Sequence, residues 1–223
     1  MPTKTLEFKE KTFEIWYLET YATHPTWYTF EDEKDVREAW WDPMPGELVV
    51  DVGACCGSYT LTALACGADV VAYAPGDLQE GLRETVVLEN SIRLNNWQGN
   101  GHVLATGLYS SEGWLDTRTL ELNGTPGDRY SIYVYPLDDE TFDIGLEWIK
   151  IDVEGAELEV LKGARETIRE NRPKILVEHH LFKNERMVEE VSGYLEGLNY
   201  RLEGTIPHAA SRVVHGLYVP RER

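Results

Sequence analysis

From about Glu47 onward, short apolar runs alternate with stretches in which apolar residues recur every three or four positions. Leu48-Val-Val-Asp51 is a strand-like run that ends on an acid. Ser58 then reads as a helix N-cap, Leu61, Leu64 and Ala65 mark a helical face, and Gly67 closes the helix. Asp69-Val-Val-Ala-Tyr-Ala74 predicts a second strand, with Pro75-Gly76 as punctuation. Leu78, Leu82 and Val86 open a longer helix running towards Asn95-Asn96, and Gly101-His-Val-Leu-Ala105 is a third strand. Between Tyr109 and Tyr135, Gly113, Gly124, Pro126 and Gly127 favour loops and hairpins.

The second half repeats the alternation. Trp148-Ile-Lys-Ile-Asp152 is a strand, and Leu158, Leu161, Ala164 and Ile168 follow at helical spacing until Pro173. Lys174-Ile-Leu-Val-Glu178 is a further buried strand, and Val188, Val191, Leu195 and Leu198 mark another helix. A closing hairpin pairs Tyr200-Arg-Leu with His215-Gly-Leu-Tyr-Val219. Strands alternating with helices predict an α/β domain over residues 47–223, its parallel sheet covered on both faces and bounded by an antiparallel edge. Residues 1–46 precede it. Their aromatic stretch, with Tyr21, Trp27, Tyr28, Phe30, Trp40 and Trp41, could pack the sheet edge or form a lid that includes His24.

Composition narrows the function classes. No internal repeat or low-complexity segment interrupts the 223 residues, and 42% hydrophobic content with 7 Trp suffices for one core. No apolar run approaches the roughly 20 residues of a membrane span. The first ten residues lack the apolar stretch of a secretory signal, so the cytoplasm is the expected location. The 3 Cys include adjacent Cys55 and Cys56 and an isolated Cys66, with no disulfide framework or metal-binding spacing. A net charge of -18 disfavours a nucleic-acid partner, because such binding needs Lys and Arg to neutralise phosphates.

The chemistry concentrates at two strand ends. Asp51 closes the first strand, and Gly53 and Gly57 bracket a tight turn into a helix. That geometry lets backbone amides lie against a ligand at a helix N-terminus. It suits a dinucleotide or S-adenosylmethionine. The dinucleotide pattern G-x-G-x-x-G is absent, since position 55 is Cys, and Asp-x-Gly-x-x-x-Gly resembles the first motif of class I methyltransferases. At the second site, Asp152, Glu154 and Glu157 cluster where a strand gives way to a helix, and Glu157 could cap that helix. Lys150, between two isoleucines of a covered strand, must pair with an acid or reach solvent.

Ile149-Lys-Ile-Asp-Val-Glu-Gly-Ala-Glu-Leu-Glu-Val-Leu-Lys-Gly-Ala164 closely resembles the signature of the FkbM family of methyltransferases. The resemblance takes in Val50-Asp-Val-Gly-Ala54 with Gly57 and Thr60, Pro136-Leu-Asp138, and Ile175-Leu-Val-Glu178, and covers roughly Leu48 to Tyr200. It implies a Rossmann-like class I fold with a mostly parallel seven-stranded sheet. It further implies S-adenosylmethionine as cofactor and methyl transfer, typically to a hydroxyl of a sugar, lipid or other small molecule. Cofactor binding would fall to Asp51, Gly53, Ala54, Gly57 and Thr60. Two positions depart from the family: Cys55 replaces a common Asn, and Ala74 replaces the acid that usually holds the ribose hydroxyls. Asp77, beyond the flexible Pro-Gly, is the candidate to replace that acid.

A hydroxyl acceptor must lose a proton, which calls for a base or a metal. Asp152, Glu154 and His179 are the candidate catalytic residues. Glu178, His179 and His180 follow another strand end, so an alternative places Mg²⁺ on Asp152, Glu178 and one histidine, taken as His179. Two other functions remain open: a homologue that binds the cofactor without catalysis, and a nucleotide-dependent oxidoreductase.

Overall fold

A computed structural model describes residues 2–18, 29–75, 81–208 and 212–222. Strands β3 (Leu48–Val52), β4 (Asp69–Tyr73), β5 (Gly101–Leu104), β9 (Leu146–Ile151), β10 (Lys174–His180), β11 (Tyr200–Pro207) and β12 (Val213–Pro220) form one sheet. Its order is β11-β12-β10-β9-β3-β4-β5. The inner strands are parallel, and β12 runs antiparallel to both β10 and β11. The predicted seven-stranded, mostly parallel sheet is therefore present. Its reversed strand lies one place in from the edge, and the expected closing hairpin pairs Leu202 with Tyr218.

Helices α3 (Ser58–Cys66), α4 (Gly81–Leu94), α5 (Glu157–Gly163), α6 (Arg165–Asn171) and α7 (Met187–Gly197) link the strands. Two residues shift from their expected roles. Gly57 in a left-handed conformation, rather than Ser58, precedes α3, and the helix through Ala164 breaks there into α5 and α6. Gly67 ends α3 as predicted, its N–H returning to Ala63 and Leu64. Residues 109–135 hold loops and a hairpin, as expected: β7 (Gly113–Asp116) and β8 (Ser131–Tyr135) pair antiparallel, and β6 (Gly107–Leu108) joins them as a small separate sheet.

The beginning of the chain contains a hairpin of β1 (Thr3–Phe8) and β2 (Lys11–Trp16), which packs against α3 and α4. Short helices α1 (Thr29–Asp32) and α2 (Lys34–Trp40) follow. Trp41 is fully buried, with its ring 5.1 Å from Tyr59 and 5.1 Å from Trp148, so it packs one face of the sheet. Tyr21, His24, Trp27 and Tyr28 lie outside the described residues. Among the described residues no helix is long and apolar enough to cross a membrane.

Strand parity places the site. Val49, Ala72, Trp148, Leu176 and Leu217 enter the core on one face, whereas Val50, Ile149, Ile151, Ile175 and Val177 enter the core on the other. Because side chains alternate along a strand, Asp51, Lys150, Glu178 and His180 belong to the Trp148 face. The strand order reverses between β3 and β9, which makes their carboxyl ends the switch point where such sheets bind ligands.

Candidate active site

The turn after β3 is held by backbone contacts. The N–H groups of Gly53 and Ala54 both donate to the Tyr73 carbonyl at 2.9 Å, and Asp152 N–H donates to the Val52 carbonyl at 2.9 Å. Gly53 (φ 81) and Gly57 (φ 92) take left-handed conformations that glycine adopts without penalty. Cys55 (φ 48) shares that region without being a glycine, a departure that fits the tight winding of this turn. Asp51 lies beneath it, buried, accepting a 2.6 Å hydrogen bond from Thr60 Oγ1. Burial pushes its carboxyl upward, with Lys150 and Thr60 opposing. Asp51 and Thr60 thus brace the turn from below.

Beyond the strand ends lies a cavity of about 460 Å³, within the size range of small-molecule sites. Gly53, Cys55, Ala74, Glu84, Asp152 and Glu154 line one part, and Leu108, Leu115, Leu120 and Ile132 form an apolar wall. The predicted residues therefore divide. Gly53, Asp152 and Glu154 reach the cavity, while Asp51, Ala54, Gly57 and Thr60 are buried within or under the turn. Asp77 lies outside the described residues. Glu84 is an unforeseen acid beside Ala74. Its helix is tied to that strand end by Thr85 Oγ1, which donates to the Ala74 carbonyl at 2.9 Å. Burial, reinforced by the charge of Asp152, pushes the Glu84 carboxyl up to about 7.

His179 is a correction to the sequence reading. It alternates away from Asp152 and is wholly buried, with Nε2 3.1 Å from the Tyr218 hydroxyl. Burial, then the charges of His215 and His180, lower it to about 4, so at neutral pH it is uncharged. Its neighbour His180 takes the place on the site face. His180 Nδ1 lies 2.6 Å from Glu157 Oε1, and Nε2 lies 3.6 Å from Asp152, 3.5 Å from Glu154 and 3.8 Å from Glu178. Although burial opposes it, Glu157 and then Asp152 hold the imidazole up to about 9. The same Glu157 oxygen accepts the Gly155 N–H at 2.9 Å, so the residue serves the helix start as well as the histidine. Glu154 sits on left-handed backbone (φ 55), with 73% of its side chain exposed.

Lys150 explains how so many carboxylates coexist. Its Nζ lies 3.1 Å from Asp152 Oδ2 and 4.0 Å from Glu178 Oε2, and 4.6 Å from the centre of the Tyr59 ring. Despite complete burial, Asp152, Glu33 and Glu178 hold its ammonium above the usual range. On β12, opposite Glu178, buried His215 places Nε2 3.4 Å from Glu178 and 3.5 Å from Glu33. A charge column therefore runs from Glu33, at the α1–α2 junction, through His215, Glu178 and Lys150 to Asp51. Lys150→Met is expected to cost about 3 kcal/mol, since it strands buried carboxylates without their cation. Urea denaturation at neutral pH checks this, and a loss below about 1 kcal/mol would place the column on the weak scale of surface pairs.

Known proteins share this fold. No protein of curated function matches the sequence. Methyltransferase FkbM from Methylobacillus flagellatus KT superposes with a TM-score of 0.65 at 23% identity, over 82% of this chain and 46% of that one. Pyrococcus abyssi tRNA (uracil-54, C5)-methyltransferase, in complex with S-adenosyl-L-homocysteine, gives 0.50 at 11% identity, over 97% of this chain and 44% of that one. The fibrillarin/Nop5p complex gives 0.56 at 12% identity, over 98% and 97%. This chain thus spans less than half the length of the first two, and at such identities the likeness establishes the fold. The sequence itself matches the methyltransferase FkbM domain over residues 51–202. That match runs through both the glycine turn and the Asp152–Glu157 segment, and the chain belongs to the FkbM family of methyltransferases.

Proposed function

We propose that the chain transfers a methyl group from S-adenosylmethionine to a hydroxyl of a small-molecule acceptor. The observation that carries this reading is the cavity at the switch point, where the Gly53 turn, Asp152 and Glu154 line one part and an apolar wall the other. The residues lining the cavity suit the cofactor: the carboxylates of Glu84, Asp152 and Glu154 would complement a ligand that carries positive charge, and the apolar wall would complement its adenine. When bound, S-adenosylmethionine supplies an electrophilic methyl for in-line displacement, so the protein's work is alignment and exclusion of water. Asp152, anchored to Lys150, orients the acceptor hydroxyl, and Glu154 accepts its proton at the cavity mouth. The net charge of -18 argues for a small acceptor over RNA, whatever the substrates of its structural neighbours.

Glu84 supplies the acid that Ala74 lacks, accepting hydrogen bonds from the ribose hydroxyls. A carboxyl near 7 accepts both bonds only when ionised, so cofactor affinity should rise as pH increases from 6 to 8. Isothermal titration with S-adenosylmethionine and S-adenosylhomocysteine tests both claims. Glu84→Gln is expected to weaken binding roughly 10-fold and to flatten the pH dependence, in line with one lost charge-assisted hydrogen bond. Unchanged affinity and pH profile in that variant would remove Glu84 from the site. Absence of heat for either ligand at millimolar concentration would overturn the methyltransferase activity itself. Labelled cofactor, incubated with small-molecule extracts and with RNA, then identifies the acceptor class; label entering RNA alone would refute the small-molecule reading. Binding without transfer to any fraction would favour the non-catalytic homologue that Ala74 keeps in view.

A further inference from the structure

We propose that Asp152, Glu178 and His180 form a site for a divalent cation of the Mg²⁺ and Mn²⁺ class, beside the cofactor cavity. One ligand atom from each of the three lies within 4.8 Å of the other two. They come from the ends of adjacent parallel strands, β9 and β10, and share one face of the sheet.

His180 is the telling group. Only 3% of its side chain is exposed, and Nδ1 is committed to Glu157, a carboxylate with no exposed surface. A carboxylate on Nδ1 fixes the ring's orientation and leaves Nε2 as the ligating atom, the arrangement that metal-bound histidines commonly show. Nε2 points into a space bounded by Asp152 Oδ1 at 3.6 Å, Glu154 Oε2 at 3.5 Å and Glu178 Oε1 at 3.8 Å. Those separations exceed the ordinary hydrogen-bond range of about 2.7–3.2 Å. They approach the edges of about 3.0–3.6 Å spanned by ligands around an ion bound at 2.1–2.2 Å. Shifts of a few tenths of an ångström would close the shell.

The remaining atoms of the acids face elsewhere. Asp152 Oδ2 is 3.1 Å from Lys150 Nζ, and Glu178 Oε2 is 3.4 Å from His215 Nε2 and 4.0 Å from Lys150. One oxygen of each acid is thereby engaged by a cationic neighbour, and the other is left for the ion. A donor set of carboxylate oxygens with a single imidazole favours a hard divalent ion over Zn²⁺ or copper. Positions of its shell left open towards the cavity would take the acceptor oxygen and ease loss of its proton. That catalytic consequence rests on the proposed methyl transfer, whereas the binding does not.

Mn²⁺ added to the cofactor-free protein provides the test, with binding followed by electron paramagnetic resonance and ligand nitrogen by electron spin-echo modulation. One Mn²⁺ per chain is expected, bound in the micromolar range, coupled to one imidazole nitrogen and displaced by Mg²⁺. Glu157→Gln should weaken it about 10- to 100-fold, as removal of a histidine's outer carboxylate does. His180→Gln should abolish the nitrogen coupling. Millimolar binding without nitrogen coupling in the unaltered protein would mean only a counterion cloud around an acidic chain, and would overturn the site. Coupling that survived in a folded His180→Gln variant would equally overturn it. Since no S-adenosylmethionine is present, failure here leaves the cofactor titration to stand or fall separately.

Discussion

Gly53→Ala is expected to destabilise the fold by more than about 4 kcal/mol, a loss seen only when a substitution breaks a specific arrangement. A Cβ at this position would lie 1.6 Å from the Asp152 carbonyl oxygen and 2.8 Å from its carbon. Neither atom can swing aside as a side chain would, because the Asp152 N–H is already bonded to Val52. Relief requires β3 and β9 to part at the switch point. The left-handed backbone, φ 81, adds roughly 1–2 kcal/mol for any residue with a Cβ. Equilibrium denaturation with urea gives the comparison, with Gly193→Ala as its counterpart. Gly193 lies within α7, and nothing stands within 4 Å of its added Cβ. That variant should gain up to about 1 kcal/mol from improved helix propensity. A Gly53→Ala loss below about 1 kcal/mol would show that the strand ends separate freely, against the close approach described.

Asp152→Asn is expected to lower kcat/KM about 1,000-fold, equivalent to about 4 kcal/mol of transition-state stabilisation. The amide is nearly isosteric, so S-adenosylmethionine should still bind, and the loss should appear in kcat. Single-turnover rates with the acceptor returned by the labelling screen measure it, and calorimetry with the cofactor supplies the control. Retention of more than about a tenth of the rate would remove Asp152 from the chemistry. A variant that lost cofactor binding and rate together would make it a cofactor contact instead of an acceptor contact.

Much of the architecture was legible because burial imposes two clean rhythms. The run Leu48–Asp51, the glycine at 67 and the pairing of Leu202 with Tyr218 all follow from period, cap and hairpin. In residues 109–135 the glycines and Pro126 marked loops and a hairpin, but not its strand bounds, since the two short strands pair across a long loop. Lys150 was readable in principle: a cation inside a covered strand has to find acids, and it finds Asp152 and Glu178. His180 was readable too, because counting by twos from Leu176 places it with Glu178 and puts His179 opposite. The contribution of Glu33 and His215 was not legible. Their meeting depends on β12 lying beside β10 and on α1–α2 closing over it, which no local pattern encodes. Glu84 was hidden for a similar reason, as a charged residue in the first turn of a helix normally faces water.

The charge column also sets an order of events during synthesis. Glu33 leaves the ribosome before Lys150 and Glu178, and His215 follows them, on the strand inserted between β10 and β11. Until that strand arrives, Glu178 and Glu33 have Lys150 but not His215, and Glu178 is still open to water along the flank of β10. A nascent chain that stops short of β12 thus has the glycine turn, the Asp152 segment and Ile175-Leu-Val-Glu178, and an unfinished electrostatic core. Final consolidation of the site waits on a histidine that does not line the cavity.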